Sequence, residues 1–474
     1  MISVTDEINR LYASWAGGSY AHSSPLPRSG SDRQYFRLTA DDQRSVMAAY
    51  NPNVAENEAY FAFTQAFADA GVNVPKIFAV NDDHTCYLVE DLGSEPLYNL
   101  VVEANGSPDE HLAQLYKHVL ADLARMQVVA GRNIDYSLCI GTPDFDQTAI
   151  QWDLNYFKYC FLKNAHIDFD ESKLEADFET IKQAAASADC QFFMFRDFQS
   201  RNIMLKDGEP YYIDFQGGKR GPLMYDVASV LYQAKAKFSE ELRNKLFDSY
   251  IDALQTLIPA DRELLFRQFK LFALIRTLQV LGAYGFRGYY EKKKHFIESI
   301  PAAVKNLKDL LALKFINLPY IEAVASKIDI AEPAPDNYDG LTVTVYSFSY
   351  KKGIPADTEN GGGFVFDCRG QHNPGRYDEY KSLTGRDKPV IDFLKANSTI
   401  DSFLAKAIEI VEPTIETYQR RGFKNLMVSF GCTGGQHRSV YCAQNFAEQI
   451  GKKFDVRVRL IHKELGIQNV EFRM

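Results

Sequence analysis

Apolar and polar positions recur at helical spacing over residues 1–18, and a strand-like stretch with turn signals follows from Ser24 to Tyr50. Asn57 to Gly71 predicts a helix closed by its glycine. VPKIFAV and CYLVEDLG, which begin at Val74 and Cys86, read as two strands. From Leu112 to about Phe315 the pattern is mostly long amphipathic helices, interrupted once by QFFMFRDFQSRNIMLKDGEPYYIDFQGG at 191–218. The segment AEPAPDNYDG, 331–340, gathers Pro, Ala, Asp and Gly where the helices stop and predicts a linker. Beyond it LTVTVYSFSY, GGGFVFDCRG, FKNLMVSFGC and FDVRVRLIH predict four strands, with helices between them from Val390 to Arg421 and from Ser439 to Ile450. Strands alternating with helices predict a small α/β domain with a parallel or mixed sheet at 341–474.

Length adds that one hydrophobic core is not enough: 474 residues imply two or three domains. At 46% hydrophobic and 24% charged residues, a globular chain is expected throughout. The start MISVTDEINRLYASWAGG lacks the features of a secretory signal, and no apolar run is long enough to span a bilayer, so no membrane partner and a cytoplasmic location are expected. The seven cysteines are scattered without CxxC pairs, which suits reduced thiols. Net charge is −9, unevenly shared: residues 341–474 hold 19 Lys and Arg against 15 Asp and Glu, or +4, which leaves −13 for the first 340. A polyanionic partner would therefore meet the back of the chain.

The chemistry-bearing stretch is FRDFQSRNIML followed by YYIDFQGG. Phosphoryl transfer needs an acceptor hydroxyl held in line, a group to take its proton, and cations that neutralise the moving charge. Asp197 suits the base. Asn202, five residues on, and Asp214, at the end of the next apolar run, suit hard oxygen ligands for Mg²⁺. Taken singly, each also suits a turn cap or a strand end; the three in register point to catalysis. Their spacing is similar to the catalytic loop and metal motif of the kinase superfamily, and the element order matches its plan: an α+β bilobal protein-kinase-like fold followed by a small α/β domain. Two departures stand out. Phe195 occupies the usual histidine position, and the strand RSVMAAYN lacks the lysine that pairs with ATP phosphates. Arg33 and Arg37 in GSDRQYFRL are candidate replacements or else two solvated surface arginines, and Ser29, Gly30 and Ser31 would form a phosphate-covering loop.

Together LPRSGSDRQYFRL, YLVEDLG, RDFQSRNIML, YYIDFQGGKRGPLMYDVASVL and IRTLQVLGAYGF resemble the aminoglycoside-phosphotransferase family over roughly residues 5–325. The likeness is greatest to its bacterial branch that phosphorylates N-acetylmuramate and N-acetylglucosamine at the anomeric hydroxyl, a branch that also lacks the lysine. The resemblance implies an N-lobe at 1–92, a mainly helical C-lobe at 93–330, ATP and Mg²⁺ as cofactors, and a sugar acceptor. It implies that Glu90, Asp91 and Leu92 form the adenine hinge and that Asp226 steadies the catalytic loop. Asp153, in WDLNYF, would meet the acceptor, with Arg276 and Tyr284 facing the same cleft; a helix cap beside Trp152 is the other reading of Asp153. An aminoglycoside, homoserine or choline is an alternative acceptor.

The second candidate site is SFGCTGGQHRSVYCA, where a strand runs into a glycine-rich turn and Arg438 opens a helix. Backbone amides, the positive helix end and an arginine favour an anion. Cys432 to Arg438 also satisfies the C-x5-R spacing of cysteine phosphatases, though no general-acid loop accompanies it. With YSFSYKKGIPADTE and FVFDCRGQHNPGRYDEYKSLTGRDKPV, the loop resembles the C-terminal domain of the RapZ family of RNase adaptors, which bind small RNAs and respond to an amino-sugar phosphate. The GxxxxGK[ST] motif of that family's own N-terminal domain does not occur. The resemblance implies that Cys432, Thr433, Gly434, Gly435, His437 and Arg438 line a pocket for a phosphorylated metabolite or nucleotide, with Asp367, Arg369, His372 and Asn373 opposite. Lys351, Lys352, Lys452, Lys453, Arg457 and Arg459 form either an RNA-facing surface or an ordinary solvated face. Two functions follow: a sugar kinase with a sensing domain, or an RNA-binding regulator with a non-catalytic kinase-like half.

Overall fold

The structure, a computed structural model, describes residues 3–26, 33–42, 44–328, 338–355 and 363–472, with side chains as far as residue 467. Ser29, Gly30 and Ser31, and most of the expected linker, lie outside the described residues. Two compact units form, 1–286 with 299–332, and 287–298 with 333–474.

The first unit begins with α1 (Val4–Ala16), closed at its start by a Ser3–Asp6 capping box and at its end by left-handed Gly17. Its Ile8, Leu11 and Tyr12 pack against Leu38, Val46, Ala48, Cys86 and Leu88 on one face of a five-stranded antiparallel sheet. The strands are β1 (His22–Pro25), β2 (Gln34–Thr39), β3 (Ser45–Tyr50), β4 (Ile77–Val80) and β5 (Cys86–Glu90), ordered β1-β2-β3-β5-β4. Between β3 and β4 lies α2 (Val54–Asp69). It starts three residues before the expected Asn57, because the Asn53 side chain accepts the Glu56 N–H and caps the helix earlier. Gly71, at φ +74°, ends it.

The helical half follows: α3 (Leu97–Ala104), α4 (Glu110–Val128), α5 (Gln147–Tyr156) and α6 (Glu171–Ala185). Two short hairpin-like sheets then pair β6 (Phe192–Met194) with β9 (Lys219–Gly221) and β7 (Ile203–Lys206) with β8 (Glu209–Tyr212). After them come α7 (Leu223–Leu231), α8 (Glu240–Gln255) and α9 (Arg262–Tyr284), then the short α10 (Lys294–Ile297), α11 (Ile300–Ala312) and α12 (Pro319–Ser326). α9 is the hub, buried along most of its length and packed by α5, α7 and α11. Among the described residues no helix is long and apolar enough to cross a membrane.

The second unit is a mixed sheet in the order β11-β12-β10-β13-β14: β10 (Thr342–Ser349), β11 (Phe364–Asp367), β12 (Asn425–Cys432), β13 (Arg457–His462) and β14 (Ile467–Phe472). The first four are parallel neighbours and β14 is antiparallel to β13. β14 is a fifth strand that the sequence pattern does not signal. The single helix expected from Val390 to Arg421 is two, α13 (Lys388–Asn397) and α14 (Ile400–Arg420), because Ser398 is fully extended at ψ 172°. With α15 (Arg438–Lys453) they close a core around Val343, Val345, Val428, Phe430 and Phe446.

Candidate active site and anion loop

Asp197, Asn202 and Asp214 come together at the two small sheets. The Asn202 side-chain amide donates to the Asp197 carbonyl at 2.8 Å, and the Ile213 N–H donates to the Asn202 carbonyl at 3.0 Å, which draws together the two segments that flank the β7–β8 hairpin. Arg276, buried on α9, donates to the Asp197 carboxylate at 2.9 Å and to Ser229 at 3.1 Å, so it fixes the orientation of a carboxylate that is 52% exposed. Asp214 has φ +66° and accepts from Gln216 at 2.9 Å. A non-glycine residue held left-handed at a candidate site is strain that the surroundings must maintain.

Those surroundings are aromatic and polar. Phe195, in the histidine position, is buried and packs edge-on against Phe198 at 5.2 Å and Phe215 at 6.2 Å, while Phe215 stacks on Tyr60 of α2 at 5.1 Å. Hydrophobic packing thus anchors the loop that a histidine would hydrogen-bond. Asp226, fully buried on α7, accepts the N–H groups of Phe195 at 2.7 Å and Arg196 at 2.8 Å. Burial pushes its carboxyl up to about 7, against the pull of those donors. Gln233 accepts from the Ser200 N–H at 3.0 Å and hydroxyl at 2.7 Å, and Gln127 reaches Asp226 at 3.4 Å.

Arg33 lies directly before β2. Its buried guanidinium donates to Glu56, in the first turn of α2, at 2.7 Å and to the Tyr35 hydroxyl at 3.3 Å. Gln216 reaches the same Glu56 oxygen at 3.3 Å, linking Arg33 to the Asp214 turn. Among the described residues the buried Arg33 Nε and Gln216 Oε1 have no partner, which leaves this polar cluster with hydrogen-bonding capacity for a ligand. Arg37 is used differently: it forks onto Asp91 at 2.7 and 3.0 Å and donates to the Gly93 carbonyl at 2.8 Å. Although burial raises it, the Arg37 and Ser45 bonds hold the Asp91 carboxyl below its usual range. Arg37 therefore braces the Glu90–Leu92 segment, where Glu90 pairs with Lys206 and Leu92 is buried. Glu56, Gln216, Gln127 and Gln233 escaped sequence reasoning; only Glu56 had a readable signal, an acid opening the helix after the lysine-less strand.

Asn202 and Asp214 fit a divalent cation by their chemistry. They are hard oxygen donors at the two ends of the β7–β8 hairpin, and among the described residues no set of three or more His, Cys, Asp and Glu side chains forms a metal cage. Asp153 is not a helix cap; that role on α5 is taken by Asp146. Asp153 is buried, accepts from the Tyr225 hydroxyl at 3.1 Å and faces Arg196 at 3.7 Å, and burial raises its carboxyl. Tyr284 lies at the end of α9.

In the second unit the carboxyl ends of β10, β11 and β12 align, with Ser349 opposite Cys432 and Asp367 opposite Gly431. The loop from Thr433 to His437 leads into the N-terminus of α15. The Cys432 sulfur lies 3.1 Å from the Ser439 hydroxyl and accepts the Gly435 N–H at 3.2 Å. The Thr433 carbonyl accepts from Ser349 at 2.7 Å, and His437 is 2.9 Å from the Tyr380 carbonyl. Arg438 donates to the carbonyls of Arg369 at 3.1 Å and Gln371 at 3.0 Å, and its buried Nε has no partner among the described residues. Asp367 and Arg369 pair with each other at 2.7 Å, with the guanidinium 4.1 Å over Tyr350. His372 leans on Tyr377 and Phe393, and Asn373 caps the Gly375 N–H at 3.2 Å. Of the basic residues expected on a surface, Arg457 is a correction: it is buried on β13, donating to Thr342 at 2.8 Å. Lys352 pairs with Glu464 and Lys453 with Glu412, each at 2.6 Å.

The profile of the phosphotransferase enzyme family matches residues 23–264, and the chain belongs to that family. Residues 341–466 match the RapZ C-terminal domain and constitute a second, separate module. A nucleotide-binding protein of Thermotoga neapolitana is 29% identical over 228 residues, 48% of this chain and 75% of the relative. Another, of Acidothermus cellulolyticus, is 37% identical over 141 residues, 29% of this chain; the chain spans only 44% of that relative. Among solved structures, Plasmodium vivax ethanolamine kinase is similar at TM-score 0.44 and 13% identity, covering 60% of this chain and 81% of the other.

Proposed function

We propose that this phosphotransferase moves the γ-phosphoryl group of ATP onto a hydroxyl of a small sugar, an amino sugar by its sequence resemblance, and that the C-terminal domain binds a phosphorylated metabolite or nucleotide. The kinase half comprises an N-lobe at 1–92 and a C-lobe at 93–330. The observation that carries the reading is that Asp197 and Asn202 precede the β7–β8 hairpin and Asp214 follows it, drawn together by the Asn202–Asp197 and Ile213–Asn202 hydrogen bonds, with Arg276 orienting the Asp197 carboxylate at 2.9 Å.

In this reading the Asp197 carboxylate takes the proton of the acceptor hydroxyl as its oxygen bonds to the γ-phosphorus, and the bond to the β-phosphate oxygen breaks to release ADP. Asn202 and Asp214 would hold Mg²⁺, which would neutralise charge on the phosphates. Arg33, held by Glu56, supplies the cation that the strand lacks, Arg37 braces the hinge of Glu90, Asp91 and Leu92, and Asp153 and Arg276 face the acceptor side. In the second unit the alignment of Asp367, Arg369 and the Cys432–Arg438 loop at the strand ends, with an unpartnered buried Arg438 nitrogen, supports an anion site.

The test is ATP consumption by the purified chain with Mg²⁺ across N-acetylglucosamine, N-acetylmuramate, glucosamine and aminoglycosides, with Asp197→Asn as control. Turnover of an N-acetylated sugar that vanishes in the control supports the assignment; no turnover with any acceptor sinks it.

A further inference from the structure

One residue from Asp197 along the chain, an open cleft of about 400 Å³ is lined by Trp152, Asp153, Tyr156, Tyr159, Arg196 and Gln279. Its walls are fixed by backbone contact. α5 continues into a π turn over Phe157–Leu162, and α9 lies against it so closely that a Cβ on Gly282 would fall 2.6 Å from the Tyr156 carbonyl carbon. One on Gly285 would fall 2.2 Å from the Cys160 carbonyl oxygen. The cleft is therefore preorganised, and Gln279, bonded to the same Arg276 that holds Asp197, ties it to the candidate base.

The two formal charges in the lining are not equally available. The Asp153 side chain is 5% exposed, turned to the Tyr225 hydroxyl, and burial raises its carboxyl. The Arg196 side chain is 39% exposed and forms a long ion pair with Asp153 at 3.7 Å, beyond hydrogen-bond reach, which leaves its N–H donors open to a ligand. A ligand thus meets an accessible positive charge, neutral amides and aromatic faces, with Trp152 58% exposed. Arg196 also has φ +75°, a backbone that favours glycine, and two N–H bonds to Asp226 hold the strand end in this shape. A long cation kept at a position suited to glycine points to a use for its side chain.

We propose that Arg196 is a specificity residue that takes an anionic substituent, carboxylate or phosphate, on a polyhydroxylated ring, and that it turns polycationic acceptors away. The proposal rests on the kinase reading above. A guanidinium forks onto either anion through parallel N–H donors, Trp152 offers a flat face to the apolar side of a ring, and a polycation would bring like charge against Arg196.

The experiment measures kcat/KM on the full chain with ATP and Mg²⁺ for N-acetylglucosamine, N-acetylmuramate, which adds a lactyl carboxylate, N-acetylglucosamine 6-phosphate and kanamycin. Wild type, Arg196→Lys and Arg196→Gly are compared. The expected result is a wild-type preference for an anion-bearing ring over the neutral one that falls by about tenfold to a hundredfold in Arg196→Gly, the cost of a charged hydrogen bond, and is partly kept in Arg196→Lys. The carboxylate and phosphate arms report which anion is taken. An unchanged preference in Arg196→Gly, a wild-type preference for the neutral ring, or kanamycin turned over as well as the sugars overturns the proposal. If no acceptor is phosphorylated, the kinase reading fails and calorimetric binding of the same compounds decides: tight binding of an anion-bearing sugar that Arg196→Gly loses supports the role of Arg196, whereas equal or no binding overturns it.

Discussion

Replacing Asp226 by alanine leaves the N–H groups of Phe195 and Arg196, now bonded at 2.7 and 2.8 Å, without an acceptor inside the first unit. Each unsatisfied buried donor costs about 1–3 kcal/mol. Removing a buried carboxyl returns part of that, so a net loss of about 2–4 kcal/mol is expected. For a unit of this size that is a fall of roughly 4–8 °C in melting temperature. The same bonds hold Arg196 at φ +75° directly before Asp197, so turnover falls with stability. Asp226→Asn keeps one acceptor oxygen and loses less, about 1 kcal/mol.

The pH dependence separates the two effects. The folded carboxyl titrates near 7 because burial raises it, above its unfolded value, so the native state binds the proton more readily. The stability that this proton linkage contributes is fully present below the unfolded pKa and is lost as pH rises through about 7. Asp226→Asn, which does not titrate, flattens that slope. Scanning fluorimetry at pH 5.5 and 8, with turnover beside it, reads all three quantities. An alanine variant as stable and as active as wild type at both pH values refutes the reasoning.

Other positions give equally definite expectations. Gly435 has φ +70°, and a Cβ there would lie 2.2 Å from the Glu464 Cγ and 2.9 Å from the Ser349 nitrogen, whereas Gly434 has nothing within 4 Å. Gly435→Ala should therefore destabilise the second unit by at least about 1 kcal/mol and weaken anion binding while Gly434→Ala does neither, measured by melting and by titration with glucosamine 6-phosphate; equal effects would discard the cradle geometry. His462 is buried between Ser347 and Gln444, and burial first, then Arg386, lowers its pKa to about 4. Its neutral form contributes stability that is fully present above the unfolded value near 6.5 and lost as pH falls through about 4, up to about 3 kcal/mol. Calorimetry of wild type and His462→Gln should show that acid sensitivity only in wild type, and parallel pH profiles would contradict it.

What the sequence made legible is what lies close along the chain. Asp197, Asn202 and Asp214 span 18 positions of one strand–loop–strand unit, so spacing alone grouped them. The cluster of Arg33, Glu56 and Gln216 was not legible, because Arg33 meets Glu56 across 23 residues and Gln216 meets Glu56 across 160. Arg37 and Arg33 look alike in GSDRQYFRL, yet Arg37 on β2 reaches Asp91 after β5 while Arg33, just before the strand, reaches Glu56 on α2. Arg457 reads as a surface charge in RVRL, but Thr342, its register partner on β10, satisfies it inside the sheet. The early start of α2 turned on a single Asn53 cap, and Phe195 looked like a defect until its ring was seen among Phe198 and Phe215.

The central claim is tested most directly by following labelled γ-phosphate from ATP to a sugar hydroxyl in wild type and Asp197→Asn, with nucleotide affinity measured on both. The account predicts transfer by wild type only and near-equal ATP affinity, since the substitution removes the proton acceptor and leaves the Arg33 cradle and the Arg37 hinge brace in place. Equal transfer by both proteins, or parallel loss of transfer and ATP binding in the variant, would contradict it.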